Sequence, residues 1–202
     1  MPPRFISRQL SRPTGPFARV MALLMNRHNA NMNAFAVQHL ELTPSDHVLE
    51  IGFGGGATLP SLITGASFVA GIDPSTEMVK RAKNRHAAAV TAGRAEFREG
   101  RVEKIPFGAG SFRKVCTVNT VYFWQSLDTG FAEIYRVLGR GGRLVVGFLP
   151  KEWMDRLGYP ADIFTSRTPD QVVASLGLCG FTHVRIERPQ PTTRWNVVVA
   201  TR

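Results

Sequence analysis

Cysteine, acid and long apolar runs are all scarce in this 202-residue chain, and each shortage closes off a class of protein. The two cysteines, Cys116 inside an apolar run and Cys179 beside Gly180, have no metal-ligand spacing and no secretory signal ahead of them. That excludes a disulfide scaffold and a zinc module, so both read as reduced packing residues of a cytoplasmic protein. No uninterrupted apolar stretch approaches the ~18 residues of a membrane span, so no transmembrane segment is expected. Acid is missing altogether from the first forty residues, which carry Arg4, Arg8, Arg12, Arg19 and Arg27. This bias resembles an organelle transit peptide, but Pro2, Pro3, Pro13, Gly15 and Pro16 interrupt any amphipathic helix before Phe17.

What is abundant is positive charge: 25 basic against 15 acidic residues give a formal +10. Such a field draws anionic partners, whether nucleic acid, a phospholipid surface or an acidic small substrate. No lysine-rich run or RNA-reading aromatic motif accompanies it, and scattered arginine on a solvated surface accounts for it equally.

The length suits one domain. Residues 1–16 read as an irregular basic arm, and 17–202 as a single folded unit. Phe17, Val20, Met21, Leu24 and Met25 share one helical face, and Met32, Phe35, Ala36 and Leu40 repeat the spacing before a turn at Thr43-Pro44-Ser45-Asp46. From His47 onward short β-rich runs alternate with helical patterns, which predicts a parallel sheet. The strands are expected at 47–51, 67–72, 95–99, 114–118, 143–148, 182–187 and 195–200. The helix after Asp73 should bury Met78, Val79, Ala82, Ala89 and Val90. A later one, marked by Phe131, Ile134, Tyr135 and Leu138, should stop at Gly139. Thr168-Pro169-Asp170-Gln171 is a capping box opening a helix over 169–178. The short connection Pro189-Gln190-Pro191 makes the last two strands an antiparallel pair. The apolar linker 151–167 reads as a lid or as a helix on the sheet edge.

The segment richest in chemistry is Val48-Leu49-Glu50-Ile51-Gly52-Phe53-Gly54-Gly55-Gly56-Ala57, a strand running into glycines and then a helix. In open parallel sheets ligands collect beyond the carboxyl ends of the strands, where glycine lets backbone approach them. Gly52, Gly54 and Ala57 also satisfy a dinucleotide pattern, with Asp73 near the distance of a ribose-binding acid. Glu50 argues against a dinucleotide, because a carboxylate at this mouth suits a cationic ligand and repels a pyrophosphate.

Glu50-x-Gly52-x-Gly54-x-Gly56 resembles the signature loop of class I S-adenosylmethionine-dependent methyltransferases. Gly71-Ile72-Asp73-Pro74-Ser75, Ile105-Pro106-Phe107, Ser111-Phe112, Val118-Asn119 and Arg136-Val137-Leu138 with Gly141-Gly142-Arg143-Leu144 follow in the family's order, across residues 41–150. The resemblance implies an α/β, Rossmann-like, seven-stranded and mostly parallel sheet with helices on both faces, the last strand antiparallel and the N-terminal helices capping the cleft. It implies S-adenosylmethionine as cofactor and methyl transfer by in-line displacement, with no metal. It also implies that Gly52, Gly54 and Gly56 clear space for the methionine part, that Glu50 supports the loop or the ligand's ammonium, and that Asp73 accepts both ribose hydroxyls. Where the family usually carries an acid that reads adenine, this chain has Arg101, which has no acceptor. Adenine then falls to Val102, Glu103 or stacking.

Asn119-Thr120-Val121-Tyr122-Phe123-Trp124 follows the fourth strand, and here Asn119 joins the cofactor residues. Tyr122 is a candidate base for the acceptor, with a core aromatic as the competing account. His28 is a second candidate base if the N-terminal helices fold over the cleft. The expected acceptor is a small organic or lipid-like molecule, anionic or apolar. An RNA methyltransferase and a non-enzymatic S-adenosylmethionine-binding protein are the alternatives.

Overall fold

The computed structural model describes residues 29–202. The basic arm, the first helical segment and His28 lie outside the described residues. The elements run α1 (Ala30–Leu40), β1 (His47–Ile51), α2 (Leu59–Gly65), β2 (Phe68–Asp73), α3 (Thr76–Arg85), α4 (Ala87–Thr91), β3 (Ala95–Glu99) and β4 (Phe112–Val118). A 3-10 turn (Val121–Phe123), α5 (Leu127–Val137), β5 (Leu138–Phe148), α6 (Lys151–Leu157), α7 (Pro169–Leu178), β6 (Thr182–Glu187) and β7 (Asn196–Thr201) follow. They build one seven-stranded sheet in the order β3-β2-β1-β4-β5-β7-β6. The pairings from β3 through β5 are parallel, while β7 runs antiparallel to both β5 and β6.

Alternation along the central strands explains why the sheet is covered on both faces. Leu49, Ile51, Ala70, Ile72, Leu144 and Val146 belong to one apolar cluster, with Phe131 and Ile134 of α5 and Val172 of α7. Val48, Val69, Cys116 and Val145 point into the other, with Leu40 of α1, Leu62 of α2 and Met78 of α3. Local signals start the helices. Ser75, Ser126 and Thr168 accept hydrogen bonds from the first-turn amides of α3, α5 and α7, and the capping box at Thr168–Gln171 forms as expected.

Two expectations change. The helix after Asp73 breaks at His86 into α3 and α4, leaving Ala89 and Val90 only partly buried against the core. Gly139 does not end α5. The helix passes straight into β5 at Leu138, which already pairs with Phe112 before Lys114 pairs with Arg143. The extra β5 residues between those pairs form a bulge in which Gly141 takes φ +68°.

Two glycines should respond in opposite ways to alanine. At Gly142 an added Cβ would sit 2.7 Å from the Gly139 carbonyl oxygen, backbone that cannot swing aside, whereas at Gly177 in α7 it would meet nothing within 4 Å. Urea unfolding should show Gly142→Ala destabilised by about 1–3 kcal/mol and Gly177→Ala stabilised by about 0.5–1 kcal/mol.

Candidate active site

The carboxyl ends of β1, β2 and β4 open into a cavity of about 410 Å³. Its floor is the glycine loop. Gly52 (φ +69°) donates to the Ile72 carbonyl at 2.7 Å, and a Cβ there would meet Thr120 Cγ2 at 2.4 Å. Gly54 (φ +48°) lines the cavity and has open space where its side chain would be. Gly56 is not among the lining residues; it turns the chain into α2 against Leu59.

Two buried carboxylates face this loop. Asp73, at the end of β2, takes the Gly54 amide on Oδ2 at 2.8 Å and the Ser75 amide on Oδ1 at 2.9 Å. One side chain thus fixes the glycine loop and the start of α3 together. Glu50, 4% exposed, accepts from the Thr58 hydroxyl on Oε1, while Oε2 is buried without a partner. Burial lifts its carboxyl to about 7, opposed by the Thr58 hydrogen bond and assisted by the Asp73 charge.

The side wall comes from the chain after β3. Gly100, Arg101, Val102 and Glu103 all line the cavity. Val102 is buried, Arg101 is exposed at the rim, and Glu103 accepts the Gln125 amide at 2.9 Å. Arg136 and Glu133 of α5 clamp the continuation of this loop. Arg136 donates to the Ile105 and Phe107 carbonyls at 2.9 and 2.8 Å, and Glu133 takes the Ile105 amide at 2.9 Å.

Beyond β4, Asn119 lines the cavity with φ +58°, a left-handed conformation that a non-glycine residue adopts at a cost. Its amide donates to the Gly147 carbonyl at 2.8 Å, and its Oδ1 accepts from the Tyr122 hydroxyl at 3.0 Å. Tyr122 is buried and is not among the lining residues. Its hydroxyl also takes the Leu149 amide, and burial pushes the phenol well above its ordinary range. The structure therefore brings Glu50, Gly52, Gly54, Asp73, Val102, Glu103 and Asn119 to one cavity, and sets Gly56 and Tyr122 behind it. Sequence reasoning missed Thr58, together with Asn29 and Asn33 near the start of α1, whereas Thr120 falls in the segment singled out after the fourth strand and Asp162 and Ile163 in the linker read as a lid or an edge helix. The asparagines stand four residues apart, on one helix face, which was the available signal.

The family profile described as "Methyltransferase domain" matches residues 49–146, the stretch that builds this cavity from the glycine loop to β5. Residues 49–146 thus carry a methyltransferase domain of the class I S-adenosylmethionine-dependent kind. This methyltransferase is 28% identical over 173 residues to the uncharacterized methyltransferase YdaC of Bacillus subtilis, covering 83% of this chain and 89% of that one. It is 33% identical over 119 residues to the ubiquinone/menaquinone biosynthesis C-methyltransferase UbiE of Geotalea daltonii, covering 55% of this chain and about half, 49%, of the relative. Its fold resembles that of the geranyl diphosphate C-methyltransferase of Streptomyces coelicolor, solved with Mg2+, geranyl diphosphate and S-adenosyl-L-homocysteine. The TM-score is 0.73 at 14% identity, over 96% of this chain and 87% of that one. S-adenosylmethionine is the cofactor of this family, and the residues present fit it. A buried carboxylate oxygen lacking a donor beside a glycine-lined cavity suits a ligand with positive charge.

Among the described residues none forms a helix long and apolar enough to cross a membrane.

The raised carboxyl of Glu50 carries a stability cost with a definite sign. Between the ordinary 4.5 and about 7 the folded protein holds a proton that the unfolded chain releases, so stability falls as pH rises through that window. Without ligand, Glu50→Gln should be more stable than wild type at pH 8, by an amount on the order of 3 kcal/mol. The gap should close below pH 4.5, the ordinary value, as followed by urea titration at several pH values.

Proposed function

We propose that this enzyme binds S-adenosylmethionine in the β1–β2–β4 cleft and methylates a small organic or lipid-like acceptor in the cytoplasm. The observation that carries the reading is the pairing of Glu50 with Asp73 at the glycine loop. When bound, the cofactor supplies a methyl group activated on a sulfonium centre. Glu50 Oε2 accepts a hydrogen bond from the ligand's ammonium, and the Asp73 carboxylate takes the ribose hydroxyls. Gly52 and Gly54 let the backbone approach the methionine part, and Gly56 serves by shaping the turn beneath it. Val102 and Glu103 wall the adenine.

The acceptor enters on the side of Asn119, Phe123, Trp124 and Ile163, a wall more apolar than the floor. That lining favours an apolar or aromatic acceptor body, in keeping with the substrates named for the quinone and geranyl diphosphate relatives. Methyl transfer in line with the carbon–sulfur bond needs chiefly alignment and exclusion of water. Tyr122 contributes by holding the Asn119 carboxamide in its strained place, rather than as a base.

Calorimetric titration with S-adenosylmethionine, S-adenosylhomocysteine and NAD tests the reading. The two sulfur ligands should bind in the micromolar range. Asp73→Ala should weaken them at least about a hundredfold, through loss of both the ribose acceptor and the loop tether. Binding of NAD alone would overturn the assignment.

Proton linkage gives a second check. An ammonium placed against Glu50 favours the carboxylate, so S-adenosylmethionine binding at pH 7 should release roughly half a proton. Titrations in buffers of different ionisation enthalpy should show that release in wild type and none in Glu50→Gln.

A further inference from the structure

The opposite ends of the same strands carry a second depression that methyl transfer does not use. It lies at the amino ends of β1 and β4, has a volume of about 430 Å³, and is lined by Thr43, Ser45, Asp46, Arg113, Lys114 and Gly141. We propose that it binds a tetrahedral oxyanion that keeps a proton, inorganic phosphate or a phosphate monoester, between the Lys114 and Arg113 cations and the Asp46 carboxylate.

Among the described residues these cations have no ion-pair partner of their own. The register sets Lys114 directly beside Arg143 across the β4–β5 ladder, a like-charge neighbour that costs energy. Arg143 is already occupied: it pairs with Glu41 and donates to the His39 carbonyl at 3.1 Å. Arg113 reaches only the Arg140 carbonyl, at 3.4 Å. Among the described residues neither Lys114 nor Arg113 takes part in an ion pair. Burial pushes the Lys114 ammonium below its ordinary range, with Arg143 and Arg113 adding to the effect and Asp46 and Glu41 opposing it. A bound anion would relieve that crowding.

The remaining lining is made for oxygen. The Thr43 and Ser45 hydroxyls, 3.1 Å apart at the rim, can each rotate to donate. Asp46 is buried, and its Oδ2 closes the turn by accepting the Thr43 amide at 2.7 Å. A fixed carboxylate in an anion site repels a fully ionised oxyanion but accepts a hydrogen bond from one that retains a proton. Near neutral pH inorganic phosphate retains at least one proton, a monoester with a second pKa of about 6 retains one in only part of its population, and sulfate retains none, so ions of the same shape should be told apart.

The test is an NMR titration of the full-length 15N-labelled chain at pH 6.5 and constant ionic strength. Sodium phosphate, glycerol phosphate and sodium sulfate are added in separate arms, and the Ser45, Asp46 and Gly141 amides are followed. Phosphate or the monoester should saturate with a Kd of about 1 mM or tighter, and the tighter of the two identifies the source. Sulfate should bind at least about tenfold more weakly. Lys114→Met, with its melting temperature unchanged, should lose the response, and Asp46→Asn should abolish the preference over sulfate. Shifts that never saturate, equal binding of phosphate and sulfate, or phosphate binding retained in Lys114→Met would each overturn the proposal.

Discussion

Asp73 is the joint on which the cleft depends. Its two oxygens hold the Gly54 amide and the Ser75 amide, while its own carbonyl accepts the Gly100 amide at 3.1 Å. Three chain segments that would otherwise move independently, the glycine loop, the entry to α3 and the exit from β3, are thereby referred to one residue. The ionised form of Asp73 suits this work, since a carboxylate is a better acceptor for two amides than any neutral side chain. Its negative charge then acts on Glu50 and helps raise that carboxyl. Two neighbouring buried carboxylates, one with an unpartnered oxygen, cost stability, a cost typical of functional sites.

A second joint lies across the cavity. Tyr122 bridges Asn119 and Leu149, so that the end of β4 and the exit of β5 share one hydroxyl. The left-handed backbone of Asn119 persists because this bridge, and the amide contact to Gly147, over-determine it. On the far side, Arg136 and Glu133 do for the loop of Ile105–Phe107 what Tyr122 does for Asn119. Polar side chains outside the cavity thus support its walls, alongside Asp73 within it.

Most of the scaffold was legible in the sequence because it rests on local rules. The 47–51 and 95–99 strands and the 169–178 helix fall at the expected residues, since alternation, flanking turns and a capping box mark them. Errors arose where tertiary pairing overrides local preference. Gly139 carries a helix-stop signal, yet Leu138 gains more by pairing with Phe112 than by extending α5. The site divides in the same way. Glu50, Gly52, Gly54 and Asp73 sit in one contiguous strand–loop pattern and its neighbour, so spacing exposes them. Asn33 and Asp162 reach the cavity through packing of α1 and of the segment after α6, and the spacing of Asn29 and Asn33 marks a shared helix face without saying what that face meets. Tyr122 reads from the sequence either as a base or as a core aromatic, since only packing shows that it is buried and hydrogen-bonded to Asn119.

The path of the chain through β5 bears on how the molecule is made. This strand lies between β4, which precedes it, and β7, which emerges from the ribosome only after α6, α7 and β6. Until then Leu144, Val145 and Val146, all fully buried in the finished protein, stand on an open edge with unpaired amides. The nascent chain therefore passes through a stage that exposes the centre of its future sheet, and its yield in a crowded cell will depend on how well that edge is shielded while the last strand is still being synthesised.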